Sequence, residues 1–299
     1  MEPPNDSLLE PGASEPRPAE LHFPLMRDDY ALSDLLSRAS EAWSRDLGAW
    51  VLAMLLYAVV GVGIPMALAL VSGIFEGLGS EGSTGLSGLG IVVDVIAQIV
   101  QLVLGGIFTL GFWAMALRGL HGERATVGAL FSQISKIWKY VLQWLALALA
   151  TMLFVVPIVV IIFLAFVGPV DRSTPMTEIV ESAGTPFLIT FAVLAPLYVY
   201  ALLGIVFMQA ELAFNDDAGP LESIVYSWRI ARGKRWSVFG VALIAGLIVM
   251  GSLMLCGIGV LFGAPFATLL VAALYLTLRQ GADVPPADST TALGGSGAS

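Results

Sequence analysis

Three polar residues on one helical face are the strongest chemical candidates in this sequence: Asp94, Gln98 and Gln101. Their spacing, i, i+4 and i+7 within a long apolar segment, predicts a polar stripe along one side of a helix. An ionisable residue inside a membrane helix is a functional candidate by default. The stripe has two interpretations, a hydrated or proton-sensitive path and interhelical hydrogen bonding, and we favour the second.

A second polar group combines Glu211 with a cluster of cations that we call the basic run: Arg229, Arg232, Lys234 and Arg235. Basic clusters beside a membrane attract anionic lipids, and each charge adds about 1 kcal/mol near the surface. We expect either a salt bridge between Glu211 and the basic run, which is the preferred interpretation, or a lipid-headgroup site.

Motifs for recognisable catalysis are absent from the sequence. It contains no His-Glu-x-x-His zinc motif and no Gly-x-x-x-x-Gly-Lys-Ser/Thr phosphate loop. The single cysteine, Cys256, excludes an internal disulfide and a thiolate metal cluster, and His22 lies far from His121. We therefore expect no enzyme activity, no cofactor and no metal site.

The composition explains which environment must position these groups. Of the 299 residues, 57% are hydrophobic and 12% are charged, with a mean hydropathy of +0.86. A soluble domain has about 45–50% apolar and about 25% charged residues, so the composition excludes a water-soluble globule and indicates a lipid bilayer. The net charge of −9, with ten acidic residues and four arginines in residues 1–46, disfavours nucleic-acid binding.

Six apolar segments are long enough to cross a bilayer core of about 30 Å, which needs about 20 residues of helix. The predicted spans are residues 47–74, 89–117, 138–167, 186–213, 236–256 and 262–279. Glycines around Cys256 and the nearby Pro265 predict a tight reversal between the last two spans. The predicted fold class is therefore an all-α integral membrane protein with six transmembrane helices.

The distribution of lysines and arginines predicts the orientation. With the N-terminus inside, thirteen of them lie in inside segments and only Arg172 lies in an outside loop. We therefore expect both termini in the cytoplasm. The transmembrane domain is residues 31–280. The flanking residues 1–30 and 281–299 are predicted to be disordered, because they cannot bury enough apolar surface to offset chain entropy.

An amphipathic segment precedes each odd-numbered span. The three segments begin at Leu32, Val127 and Leu221 and share apolar positions at i, i+3, i+4, i+7 and i+10. Their starts are 95 and 94 residues apart, which suggests a threefold repeat of a helix plus a helical pair. We expect each segment to lie in the cytoplasmic interface; the alternative is packing on the ends of the bundle.

Tryptophans stand near the start of the odd-numbered spans, at Trp50, Trp138 and Trp236. The indole ring is amphipathic and is favoured at the membrane–water interface. The three residues are therefore predicted to be interfacial anchors.

Two stretches carry a family resemblance. Residues 118–140 read RGLHGERATVGALFSQISKIWKY, and residues 211–279 contain the acidic turn NDD, then PLESIVYSWRIARGKRW and a CGIG turn. The chain resembles the uncharacterised YciC-like six-span integral membrane proteins of bacteria. It is also similar to the membrane domain of membrane-anchored glycerophosphodiester phosphodiesterases. The resemblance covers most of residues 32–279 and implies a six-helix inner-membrane protein of unassigned activity, without the catalytic domain of the phosphodiesterases.

These observations predict a non-enzymatic protein of the bacterial inner membrane that organises or interacts with lipids or with a membrane complex. The expected partners are membrane lipids, anionic ones included, and a membrane-protein partner or a second copy of the chain, with no nucleic acid. The alternative function is a channel or transporter whose polar path follows Asp94, Gln98 and Gln101.

Overall fold

The computed structural model describes residues 23–79, 84–167, 191–192, 194–255 and 257–285. These residues are almost entirely helical and contain no β-strand. The predicted disordered tails lie outside the described residues, except for residues 23–30 and 281–285.

Ten α-helices make up the described chain. In chain order they are α1 Leu32–Arg45, α2 Leu47–Leu56, α3 Gly63–Gly79, α4 Thr84–Leu120, α5 Ile137–Val167, α6 at residues 194–205, α7 Met208–Phe214, α8 Pro220–Ala231, α9 Arg235–Met254 and α10 Val260–Arg279. A π-helical turn at Tyr57–Val62 joins α2 to α3, and two 3-10 turns, Val127–Phe131 and Ile134–Lys136, precede α5.

Six helical segments are long and apolar enough to cross a membrane. They are Leu47–Phe75, Leu89–Leu120, Val127–Ile161, Leu194–Phe214, Arg235–Met254 and Val260–Arg279. The predicted number of spans is confirmed, and so is the reversal after the fifth span, where Gly257 adopts a φ of 76° that favours glycine. The chain is thus a multi-pass, all-helical membrane protein.

Helical pairs form the bundle, and α10 lies at its centre. The α2–α3 segment packs on α4, and α9 packs on α10. α10 also contacts α1, α2, α4 and α8, and its second half is almost completely buried. By contrast, α5 is mostly exposed in the described structure, as expected for a helix whose neighbours are lipid.

Both ends of the described chain meet at one end of the bundle. Gln280 Nε2 donates to the carbonyl of Phe23 at 2.8 Å, and Arg27 Nη1 donates to the carbonyl of Leu278 at 2.9 Å. Six crossings return a chain to its starting side, so this contact agrees with an even number of spans. We call this end, which carries α1, residues 121–136, α8 and the first turn of α9, the basic end.

The first amphipathic segment forms α1, and its stripe packs on the bundle. Leu35, Ala39 and Ala42 are buried, and α1 contacts α10 and α4. The helix begins where the backbone N–H of Ala31 donates to the Asp34 carboxylate at 3.0 Å. For α1 the described contacts match the alternative interpretation, packing on the end of the bundle.

The second amphipathic segment does not form an α-helix, so that prediction was wrong. It consists of the two 3-10 turns, because tertiary contacts override the apolar pattern. Leu130 lies so close to α4 that a side chain at Gly111 would overlap its backbone, and Lys136 turns inward to reach carbonyls of α7. Since the segments differ in structure, the threefold repeat stays a prediction.

The third amphipathic segment forms α8, with an unusual distribution of side chains. Leu221, Val225 and Trp228 are exposed, whereas Ser223 and Ser227 are fully buried. The helix begins at Pro220, as predicted, and the backbone N–H of the preceding glycine donates to a Glu222 oxygen. An outward apolar stripe over buried serines is the pattern expected of a helix bordered by lipid rather than by water.

Candidate functional site

The candidate site lies where α8 turns into α9, and its central residue is Arg235. The guanidinium carbon lies 3.7 Å from the centroid of the Tyr200 ring and 4.1 Å from that of Trp228. Cation–π contacts of this kind are worth up to about 2 kcal/mol when desolvated. The Nε and Nη1 atoms are buried and donate no hydrogen bond to any described residue. The charge is therefore held in a fixed position by the two rings, and two of its buried N–H groups have no described acceptor.

Hydrogen bonds across the break between α6 and α7 hold the aromatic pair in place. Ser227 Oγ donates to the carbonyl of Gly204 at 2.9 Å and accepts the backbone N–H of Phe207 at 3.0 Å. A Cβ added at Gly204 would overlap the Trp228 ring, so only glycine allows this close approach. The sequence therefore fixes Trp228 against α6, and with it the rings that contact Arg235.

The other three cations of the basic run lie at the end of α8 and in the turn before Arg235. Arg229 is exposed and donates to the carbonyl of Asp283 at 3.4 Å, and Arg232 is also exposed. Lys234 Nζ lies 3.2 Å from Asp28 Oδ1. The turn between α8 and α9 depends on Gly233, whose φ is 80°. Four cations are thus gathered within one turn-and-helix corner.

Glu211 is fully buried and pairs with Arg279, 68 residues away in sequence. Arg279 Nε donates to Oε2 at 2.9 Å and Nη2 donates to Oε1 at 3.0 Å; Tyr275 and Asn215 donate to the same carboxylate. Among the described residues, none of these bonds comes from the basic run. The expected salt bridge between Glu211 and the basic run is therefore wrong, because α7 directs Glu211 toward α10 while α8 and α9 carry the basic run to the surface.

Two lysines that the sequence analysis did not single out bind the turn after α7. Lys136 Nζ lies 2.5 Å from Asp216 Oδ1 and donates to the carbonyl of Leu212 at 2.9 Å, and Lys139 Nζ donates to the carbonyl of Asp216 at 2.7 Å. Lysines at a helix C-terminus satisfy free carbonyls and complement the helix dipole. The acidic turn at residues 215–217 was the sequence signal for these lysines, because its carboxylates favour a nearby cation.

His121 is packed against this same region. Its ring is stacked on Phe214, with centroids 6.1 Å apart and planes at 9°, and its Nδ1 lies 2.7 Å from the carbonyl oxygen of Leu117. Burial lowers the pKa of His121, although the Leu117 carbonyl and Glu123 act in the opposite direction. The imidazole is therefore packed against Phe214, and its surroundings favour the neutral form.

Only two of the three predicted tryptophan anchors face outward. Trp138 and Trp236 are 66% and 86% exposed, whereas Trp50 is 0% exposed. The prediction for Trp50 was wrong, because α1 and α10 cover this position and the ring packs close to Gly119 of α4. The presence of a tryptophan near the start of a span does not by itself show whether its ring lies at the interface or in the core.

The Asp94 stripe lies away from the candidate site. Gln98 Nε2 donates to Asp94 Oδ2 at 2.7 Å, and the side chains of Gln98 and Gln101 are exposed. A cavity of about 660 Å³ between α2, α4, α9 and α10 includes Tyr57 and Thr109 in its lining, and it includes none of the three stripe residues. The three residues lie on one face of α4, and that face points outward from the described bundle. The hydrogen bond between Gln98 and Asp94 lies within α4, whereas the favoured interpretation is bonding between helices.

Fold and site together define a multi-pass membrane protein with six spans, a charged end and no cluster of metal-binding side chains among the described residues. The chain belongs to the family defined by a domain of unknown function, DUF7847, whose model matches residues 31–296. No curated protein and no solved structure matches the chain.

Proposed function

We propose that this protein is a non-enzymatic membrane protein that binds anionic lipids at its basic end. The observation that carries the proposal is the arrangement of Arg235. Its guanidinium is positioned by Tyr200 and Trp228, and its buried Nε and Nη1 have no hydrogen-bond acceptor among the described residues. Buried N–H donors without an acceptor are costly, by about 1–3 kcal/mol each, and a phosphate oxygen would remove that cost.

The surroundings of Arg235 match both parts of a lipid. Leu221, Val225 and Trp228 on α8 and Trp236 on α9 expose apolar side chains next to the cations of the basic run. Apolar side chains placed at acyl-chain depth, with arginines at phosphate depth, are typical of interfacial helices. The planar guanidinium suits bidentate phosphate contacts better than a lysine does. These contacts support placement of α8 in the interface.

Location and orientation form part of the same proposal. We infer that the protein lies in the bacterial inner membrane with both termini in the cytoplasm. The thirteen-to-one distribution of lysines and arginines supports this orientation, and the contact between Gln280 and Phe23 supports a shared side for the two ends. A distant relation to the YciC-like proteins and to the phosphodiesterase membrane domain rests on the sequence resemblance. A membrane-protein partner or second copy stays a prediction.

The channel or transporter hypothesis is less well supported by the positions of its residues. Gln98 is hydrogen-bonded to Asp94 within one helix, and the face that they share points outward. A path would need these side chains to line a continuous cavity. We therefore adopt lipid binding as the proposed function. The polar path is the alternative, and a measurement of proton and ion flux distinguishes the two.

Native mass spectrometry of the purified full-length protein, titrated with phosphatidylglycerol, tests the proposal. We expect retained phosphatidylglycerol, and we expect Arg235→Gln to weaken its binding about tenfold or more, the loss of a charge-assisted contact. Arg38→Gln is the matched control, since Arg38 is an exposed α1 arginine that forms an ion pair with Glu41 at 3.6 Å. Equal retention by the wild type and Arg235→Gln would remove the proposal.

A further inference from the structure

A groove with polar and apolar walls lies on another side of α9, between this helix and the chain that leads into α1. Its volume is about 360 Å³. Its lining includes Asp28, Tyr30, Lys234, Ser237, Gly240 and Ile244. The polar members cluster at the first turn of α9, and the apolar members continue for about 10 Å along the helix toward the membrane interior, at 1.5 Å per residue. The groove is thus polar at its outer end and apolar deeper in, which matches a lipid headgroup followed by its acyl chain.

Tyr30, which lines this groove, carries an unsatisfied hydroxyl. The Tyr30 hydroxyl oxygen is buried and has no hydrogen-bond partner among the described residues. Buried polar groups in native proteins are almost always hydrogen-bonded, and an orphan needs an explanation. The simplest one is an acceptor that belongs to a ligand.

Positive charge is available beside this hydroxyl. Lys234 Nζ is paired with Asp28 at 3.2 Å, but the Asp28 side chain is 87% exposed, and exposed ion pairs contribute only about 0–1 kcal/mol. Lys234 can therefore exchange this carboxylate for another anion at little cost. No side chain caps the N-terminus of α9, so its first-turn amides add donors and a positive dipole end.

We propose that this groove binds a glycerophospholipid. The phosphate accepts hydrogen bonds from Tyr30, Lys234 and the first turn of α9 near Ser237, and one acyl chain runs along residues 240–244. This proposal rests on the proposed function, because it needs the basic end to lie in the lipid interface. The groove is nevertheless a separate site, since Arg235 and Ser237 are two positions apart and project about 200° apart around the helix.

Four substitutions test the groove without disturbing the bundle. Tyr30→Phe removes only the orphan hydroxyl, and Lys234→Gln removes the cation. Gly240→Leu fills the apolar part, where an added Cβ meets nothing within 4 Å. Asp28→Asn frees Lys234 from its competing carboxylate. Each variant is made in the full-length chain that also carries Arg235→Gln, so that the Arg235 site does not contribute.

The measurement is native mass spectrometry with phosphatidylglycerol, paralleled by the melting temperature in detergent. We expect Tyr30→Phe and Lys234→Gln to weaken binding about tenfold, since each loses a charge-assisted hydrogen bond, and Gly240→Leu to abolish it. Asp28→Asn should tighten binding. Tyr30→Phe should leave the melting temperature unchanged or higher, because a buried unsatisfied hydroxyl is lost; a purely structural hydroxyl would not affect lipid binding.

Two further ligands distinguish the possible sources of the signal. Diacylglycerol of matched chain length lacks the phosphate, and inorganic phosphate lacks the chains, so neither should replace phosphatidylglycerol at comparable concentration. Competition by inorganic phosphate alone would overturn the lipid assignment. If the four variants bind phosphatidylglycerol like their parent, the groove proposal is overturned while the Arg235 site stands. If the wild type retains no phosphatidylglycerol, the proposed function and the groove both fail.

Discussion

Arg279 and Glu211 form a bidentate ion pair, with hydrogen bonds of 2.9 and 3.0 Å, where the last turn of α10 meets α7. The pair joins the ends of the fourth and sixth spans, and the Glu211 side chain has no exposed surface. The chain continues from α7 through Asn215, which also bonds Glu211, into α8. This ion pair therefore fixes the base from which α8 and the basic run extend.

Breaking this ion pair should destabilise the protein strongly. Arg279→Met leaves the Glu211 carboxylate buried without its cation, and removing one partner of a buried pair costs about 3–5 kcal/mol. The double variant Glu211→Gln/Arg279→Met should lose less than the sum of the single variants, because it leaves no unpaired charge. The free energy of unfolding in detergent measures both effects. A loss below about 1 kcal/mol in Arg279→Met would contradict the assigned role.

The half-buried His121 should make stability fall in acid. Burial lowers the pKa of His121 in the folded protein, so below the ordinary value of about 6.5 the unfolded chain binds the proton more readily. Stability should therefore fall as the pH drops from about 6.5 through the lowered pKa, and this group should have no effect above that range. His121→Phe keeps an aromatic ring against Phe214 and should flatten the dependence. Melting temperatures between pH 5 and pH 8, compared with the wild type, check this; parallel curves would contradict it.

The close approach of Gly204 to Trp228 predicts an effect of a single methyl group on lipid binding. Gly204→Ala would overlap the indole ring, displace it and remove a contact of about 1–2 kcal/mol from Arg235. We expect weaker retention of phosphatidylglycerol although every cation of the basic run is intact. Gly251→Ala is the matched control, because an added Cβ there meets nothing within 4 Å. An equal effect of the two variants would argue against positioning by Trp228.

Continuous apolar segments made the six spans predictable, because hydrocarbon thickness alone sets their length. The partner of Glu211 was missed because nearness in sequence favoured the basic run, whereas helix packing brings Arg279 to it. The sequence did contain a signal for this pair, since Glu211 and Arg279 each lie at the inner end of a predicted span. The burial of Trp50 and the 3-10 turns of the second amphipathic segment depend on contacts with α1, α4 and α10, and apolar periodicity carries no information about those contacts.

Removing the polar stripe should not change permeability. We expect the triple variant Asp94→Asn/Gln98→Leu/Gln101→Leu, reconstituted in liposomes, to show the same proton and ion flux as the wild type. If the stripe forms interhelical contacts, each lost bond should lower stability by about 0.6 kcal/mol. Wild-type flux that disappears in the variant would support the channel or transporter alternative instead.

A density map of the protein extracted with its native lipids would show whether Arg235 meets a lipid phosphate. We predict headgroup density within hydrogen-bonding distance, about 3 Å, of the Arg235 guanidinium, with acyl-chain density along Leu221 and Val225 of α8. A map in which water or another protein segment occupies that position, with α8 surrounded by solvent, would rule out lipid binding at Arg235.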